Sequence, residues 1–493
     1  MSDQQSIPAE IPVLIVGMGP TGLMLASELQ LCGVDCLVLG TAATPEWESR
    51  ALGFTPSTLE IFAHRDMLGE FGPLELSHAV HFAGIVIPAD RISSPHPSAM
   101  RFPQYRTEAV LRGRATRLGA AVRPGYTVRE VRELEGALET AAEGPGGPVI
   151  VRSRYVVGCD GAHSTVRKTA GLEFPLTPPD VQMLLADIEH VGLPNNRFGK
   201  KTPHGMVMSG PLTDTVDRLI VCDFRAEPLE RGTRVEAKHL AQAYRNVTGE
   251  DLPAGKIRWA SSFNDASGMA PSFRKGNILL AGDAAHIHLP AGGQGMNVSL
   301  QDAANLGWKL AAAVQGWAPE GLLDSYDTER RQAAAELLAN TRAQGQLFLR
   351  GAEVDPVRAL LQRLFTLPEA ASLAADEVTG MALRYDTGDG APEPVGRLLP
   401  TRHLRLPGED GPPHGLLREG RGLLLRSGKD VGNDDTDALL RRWKARVDAR
   451  TVPGTDERPD ADLLVRPDGH VAWTSHGTEP LSDALTRWFG SAG

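Results

Sequence analysis

The sequence predicts an α/β fold. Three observations carry that expectation: an apolar strand runs into a glycine-rich turn and a helix near the N-terminus, strand-like segments cluster mid-chain, and a strand-and-helix pattern returns near the end. With 493 residues, 41% of them hydrophobic and 23% charged, the chain can bury sizeable cores in two to four domains. Glycine (53) and proline (36) are abundant and aromatics make up only 5%, a balance suited to loop-rich α/β proteins.

The elements follow in order. Residues 11–16 (IPVLIV) form a short strand, GMGPTG occupies 17–22, and an apolar-periodic helix runs from Leu23 to Leu31, stopped by Gly33. A second strand, DCLVL, covers 35–39, completing the opening of a dinucleotide-binding unit. Residues 127–157 alternate around the turn EGPGGP and read as an antiparallel meander ending in YVVGCDG. QMLLADI, GMVMSGPL and RLIVCDF, within 181–262, suggest a separate antiparallel sheet. NILLAGD (277–283) is again a buried strand, a long helix follows near 297–315, and 320–385 is largely helical. A Pro-, Gly- and Arg-rich stretch from about 387 to 425 marks a boundary, followed by strands and the terminal helix LSDALTRWF. The expected units are 1–175, 176–271, 272–386 (rejoining the first) and 387–493.

The net charge of −10 and the lack of a polybasic run give no footing for nucleic-acid phosphates. No secretory leader or membrane-length apolar run is read. Cys32, Cys36, Cys159 and Cys222 show neither CxxC nor metal-ligand spacing, so the expectation is a cytoplasmic protein with no membrane partner and no metal. His286 and His288 form an HxH pair without a third ligand and read as loop residues.

In GMGPTG, Gly17 permits a tight turn, Gly19 lets a pyrophosphate approach the backbone, and Gly22 lets helix and strand pack closely. The helix N-terminus adds free N–H groups and a positive dipole end. One departure stands out. The acidic residue that ends the second strand in such units and binds the adenosine ribose is here Gly40, with Glu46 and Glu48 out of register. On that reading, Gly40→Glu tightens dinucleotide binding.

Two later motifs are CDGAHSTVR (159–167) and the stretch from NILLAGD through LPAGGQGMN to GWKL (277–310). With ESRALGF (48–54), FPQ (102–104) and RPDGHVAW (466–473), they make the chain resemble the flavoprotein aromatic hydroxylases of the para-hydroxybenzoate hydroxylase type. LPAGGQGMN is similar to the polyketide-tailoring branch, especially the angucycline hydroxylases. The resemblance implies a Rossmann-like FAD-binding domain, an inserted antiparallel-sheet substrate domain and a thioredoxin-like C-terminal domain. That last segment holds no cysteine and so no thiol redox pair.

The resemblance further implies FAD bound through Gly17, Gly19, Pro20, Thr21 and Gly22, with Arg50 and Gln104 in contact and Val128 near the adenine. Asp160 and Arg167 would belong to a motif shared by FAD and the nicotinamide. Gly282 and Asp283 would serve the ribityl chain; alone, Asp283 also admits the lesser reading of a helix cap. Pro290, Gly292, Gly293, Gly295, Met296 and Asn297 would bring backbone amides to the flavin pyrimidine edge, stabilising charge on reduced flavin. NADPH would act as a transient co-substrate without its own glycine fingerprint. Oxygen added at flavin carbon 4a would give a hydroperoxide that hydroxylates a phenolic, polycyclic polyketide. No catalytic base is assigned, and a monomer or homodimer is expected. The rivals are Baeyer–Villiger or another oxidation on the same scaffold, a non-catalytic polyketide-binding protein, and an NAD-dependent dehydrogenase, in which the later motifs have no role.

Overall fold

The computed structural model describes residues 7–42, 51–230, 232–388, 390–404, 415–427, 434–452 and 461–492. The N-terminal strand Glu10–Val16 lies between Gly147–Gly158 and Cys36–Gly40, parallel to both. Ile278–Leu280 pairs parallel with the end of Gly147–Gly158, and Ala121–Pro124 pairs parallel with Cys36–Gly40. Val13, Leu14 and Ile15 are fully buried, as expected of a parallel strand covered on both faces.

The first helix spans Pro20–Leu31. It starts earlier than the apolar period alone indicates, because Pro20 at the first helical position lacks the N–H that would go unpaired there. The helix Gly295–Gln315 packs against it. The contact is close: a Cβ at Gly307 would lie 2.3 Å from Glu28 Cβ. The region 320–385 divides into Asp324–Phe348, Asp355–Leu364 and Pro368–Thr379. Pro356 and Pro368 stand in the first turns of the last two.

The middle of the chain forms a five-stranded antiparallel sheet in the order Lys200–Thr202, Gly205–Thr213, Val216–Asp223, Gln182–Glu189, Lys256–Asn264. Side chains alternate between its faces. Leu184, Ala186, Ile188, Val207, Leu219 and Val221 pack under the helix Ala237–Thr248. Met183, Met206, Ile220, Cys222 and Phe263 face the other way.

Near the C-terminus a four-stranded sheet has the order Val447–Thr451, Gly422–Arg426, Leu463–Val465, Val471–Thr474. Its first pair is parallel and the other two are antiparallel. This strand order and polarity is that of a thioredoxin-like sheet. The terminal helix Leu481–Phe489 buries Trp488 and Phe489 against Trp308.

Candidate FAD site

Three loops meet at the C-terminal edge of the parallel sheet. Gly17 has φ +115°, and a Cβ there would fall 2.1 Å from the carbonyl oxygen of Cys159. A Cβ at Gly22 would fall 2.0 Å from the Gly17 carbonyl oxygen, whereas a Cβ at Gly19 would meet nothing within 4 Å. Two glycines are therefore needed for packing within the protein. The third leaves its backbone open in front of the helix that begins at Pro20. That open cradle suits a pyrophosphate, which the helix N-terminus attracts.

Gly282 (φ +63°) ties the GD loop to this turn: a Cβ there would meet Thr21 Oγ1 at 2.7 Å and Ser299 Oγ at 3.1 Å. Asp283 is exposed, although Ile278–Gly282 and Ala284–His286 are all buried. A carboxylate held at an opening between buried neighbours fits a polar ligand chain. Asp160 accepts hydrogen bonds on Oδ2 from the amides of Thr165 (2.7 Å) and Val166 (3.1 Å). Its Oδ1 is buried with no partner among the described residues, and an orphaned buried oxygen calls for a donor. Gly292 and Gly293 have φ of +67° and +66°, and a Cβ at Gly293 would meet nothing within 4 Å. The cradle, the orphaned oxygen and the open glycine loop fit FAD.

Other expected site residues are placed differently. Arg167 is buried, donating to the carbonyls of Ala284 (2.8 Å) and Ala162 (2.8 Å) and lying 4.0 Å over the Phe174 ring. Burial lowers its pKa, and its guanidinium braces the GD loop. Asn297 is buried too: its Oδ1 accepts from the Thr55 amide (2.9 Å) and its Nδ2 donates to the carbonyls of Gly293 (3.0 Å) and Gly53 (3.3 Å). Gly295 starts the long helix with Met296 half-buried beside it, and Pro290 is exposed on the loop. The Gln104 amide donates to the Ala51 carbonyl (3.1 Å) while its side chain donates to Glu108. Val128 is buried on the strand Thr127–Leu134, whose neighbour Tyr126 donates its amide to the Gly40 carbonyl at 2.9 Å. Arg50, Glu46 and Glu48 lie outside the described residues.

Gly40 requires a correction. A Cβ there would sit 2.5 Å from Met18 Cβ, so the position has no room for a side chain. Gly40→Glu, expected from sequence to tighten binding, is instead destabilising, by about 1–3 kcal/mol for an overpacked core site. Urea unfolding of the apo variant measures the loss.

The two loop histidines have separate partners. His286 Nε2 meets Asp302 Oδ2 at 2.8 Å, and His288 Nδ1 meets the Leu289 carbonyl at 2.7 Å. No group of three potential metal ligands occurs among the described residues. Burial pushes the Cys159 thiol well above its ordinary pKa, with Asp160 and Asp302 adding to the effect, so it stays protonated and is no nucleophile.

Sequence reasoning missed a buried set behind the loops: Asp302, Asn305, Lys309, Glu329, Arg330, Tyr385, Arg466 and Asp468. A signal existed, since Asp302, Asn305 and Lys309 recur at i, i+3 and i+7 on the otherwise apolar helix that begins at Gly295.

Known proteins place the chain. Residues 10–341 match the FAD binding domain model and 393–492 the model for the aromatic-ring hydroxylase C-terminal region. A 12-dehydrotetracycline 5-monooxygenase/anhydrotetracycline 6-monooxygenase from Streptomyces rimosus subsp. rimosus is 39% identical over 97% of this chain and 98% of its own length. The solved structure of CabE, an aromatic hydroxylase from angucycline biosynthesis, is 43% identical with a TM-score of 0.91, covering 98% of this chain and all of that one. A Diels-Alderase from the pyrroindomycin pathway is 33% identical with a TM-score of 0.85, over 98% of this chain and 100% of that one. No helix among the described residues is long and apolar enough to cross a membrane. The open glycine cradle, the exposed GD carboxylate and these matches along nearly the whole chain agree: the chain belongs to the FAD-dependent aromatic-ring hydroxylases of the para-hydroxybenzoate hydroxylase superfamily and is a flavin monooxygenase.

Proposed function

We propose that this monooxygenase hydroxylates a phenolic, polycyclic aromatic polyketide of angucycline-like shape, using NADPH and O2. The observation that carries this reading is an apolar wall reaching the flavin loop. Met183, Met206 and Phe263 on the middle sheet share one cluster with Leu289 and Ala291, which lie on the loop itself, and with Phe348. Methionine and phenylalanine give a flat, adaptable surface suited to fused aromatic rings. At one end of the same face, Arg218 makes a buried bidentate pair with Asp187 (2.7 and 2.8 Å), which fixes the frame rather than the floor.

FAD, when bound and reduced by NADPH, supplies the activated oxygen. The chain's own residues orient and exclude. Gly19 and the helix at Pro20 would hold the pyrophosphate, Asp283 would take the ribityl hydroxyls, and amides of the Gly292–Gly293 loop would face the isoalloxazine. The Met/Phe wall keeps water from the reacting oxygen. His288, on the flavin loop, donates Nδ1 to the Leu289 carbonyl (2.7 Å), and His81 Nδ1 accepts from the Gly84 amide (3.1 Å). Burial lowers both to about 4, so near neutral pH they carry no charge.

The test is NADPH oxidation with a panel of angucyclinones, anthraquinones and small phenols, with labelled O2 traced into product by mass. Hydroxylation predicts stimulation by the polycyclic phenols and one labelled oxygen in the product ring. A second reading, ring formation without oxygen transfer, is favoured by the likeness to the Diels-Alderase. Product that carries no label and forms without NADPH would select it.

A further inference from the structure

Behind the GD loop lies a continuous run of buried charge. Asp302 accepts from the Gly282 amide (2.9 Å), from His286 Nε2 (2.8 Å) and from Arg330 Nε (2.6 Å). Arg330 also donates to the Val298 carbonyl (3.3 Å) and to the Tyr385 hydroxyl (2.7 Å). It thereby ties the GD loop to the first turn of the long helix. Burial alone would raise the Asp302 carboxyl, but Arg330 and His286 outweigh it and hold the group below its ordinary pKa. Asp302 is an anion with three donors.

The run continues into the C-terminal domain. Tyr385 also accepts from Asn305 Nδ2 (3.3 Å), which in turn reaches Glu329 Oε2 (2.7 Å) and Asp468 Oδ2 (3.1 Å). Arg466 grips Glu329 with both terminal nitrogens (2.6 and 2.8 Å) and pairs with Asp468, while Lys309 Nζ reaches Glu329 at 2.8 Å. Arg466 also lies 4.6 Å from the Trp488 ring centroid. The carboxylates are Asp302, Glu329 and Asp468; the cations are Lys309, Arg330 and Arg466. Charge balances within a volume that water does not reach, the condition under which buried ions are tolerated. Glu329 and Arg330 are neighbours in sequence, yet one faces the C-terminal turn and the other the GD loop.

We propose that the Arg466–Asp468 turn is a positioning element for the flavin site: its docking sets Glu329, Arg330 and Asp302, and so the backbone of Gly282 that presents Asp283. The inference rests on the reading of this loop as the FAD site. Docking of the C-terminal domain and FAD binding then stabilise one another, as linkage requires. The domain serves the flavin without touching it, which gives a cysteine-free thioredoxin-like module a task.

Hydrogen exchange of the whole chain, with and without FAD, tests this without any substitution. The amides of Leu463–Val465 and Val471–Thr474 should exchange at least fivefold more slowly when FAD is bound. A wild-type chain that takes up no FAD overturns the cofactor reading and this inference with it. FAD uptake that leaves those amides unchanged overturns the inference alone. Tyr385→Phe removes the hydroxyl that joins the two halves with little change of shape. It should weaken FAD binding at least fivefold, whereas the core change Leu240→Ala, in the separate core of the middle sheet, should lower apo stability and leave FAD affinity unchanged. Equal loss of affinity in both variants would show that general stability, not positioning, is at work.

Discussion

The FAD-binding unit presents two seams, and they differ in the charge they bury. Against the middle sheet it meets methionine, phenylalanine and leucine, several only half-buried. Against the C-terminal domain it meets, beside the Trp308–Trp488–Phe489 contact, buried ions, with Arg466, Asp468, Lys309 and Arg330 all at 3% exposure or less. A soft apolar seam can repack around ligands of different outline. An ionic seam cannot, because each charge requires its partner in one geometry. The difference separates the surface that must adapt to a substrate from the one that must hold the cofactor loop still.

The largest expected effect breaks the ionic seam. Arg466→Met leaves Glu329 and Asp468 buried without their main cation and should cost about 3–5 kcal/mol, read by urea unfolding of the holoenzyme. A loss below about 1 kcal/mol would mean that the seam is open to water.

Acid should act on the same seam. Burial would raise the Glu329 carboxyl, but Arg466 and Lys309 overcome that and hold it at about 2, from an ordinary 4.5. A depressed carboxylate stabilises above its unfolded pKa and loses that contribution as pH falls through the folded one. The window is pH 4.5 down to about 2, and the amount about 3 kcal/mol. Melting curves of wild type and Glu329→Gln across that window should converge on acidification. Parallel curves would remove Glu329 as the cause.

Asp283→Ala tests the loop that the seam supports. It should weaken FAD binding by about 1.5–3 kcal/mol for each charge-assisted hydrogen bond lost while leaving apo stability nearly unchanged. Titration calorimetry alongside apo unfolding separates the two, and the reverse pattern would make Asp283 a structural residue.

The smallest effect lies in the soft seam. Met206→Leu should change stability by less than about 1.5 kcal/mol, as volume-conserving swaps do, yet alter the ranking of polycyclic substrates in NADPH oxidation. An unchanged ranking would place Met206 in the core rather than at the substrate.

What was legible in the sequence divides along the same line. The glycine turn, the GD loop and the strands of the middle sheet could be read because each depends on local rules: glycine where no Cβ fits, alternation where a sheet has two faces, proline where a helix starts. Gly40 was misread because its constraint is a contact with the side chain of Met18, 22 positions earlier in the glycine turn, which only the pairing of the first two strands creates. The ionic run was missed because its members stand at 302–330, 385 and 466–468. Taken singly, Glu329 or Arg466 looks like any surface charge, and only the fold brings them together.

The position of Gly282 also bears on the order in which the chain can fold. Val156–Gly158 gains its outer partner only from Ile278–Leu280, and the wedge between Thr21 and Ser299 closes only when residue 299 exists. As the chain leaves the ribosome, the first sheet therefore waits, one edge open, while the whole middle sheet is made. That insert has its own apolar core under the helix Ala237–Thr248 and can fold in the interval. The nucleotide-binding unit is begun first and finished later, since its closure depends on long-range pairing.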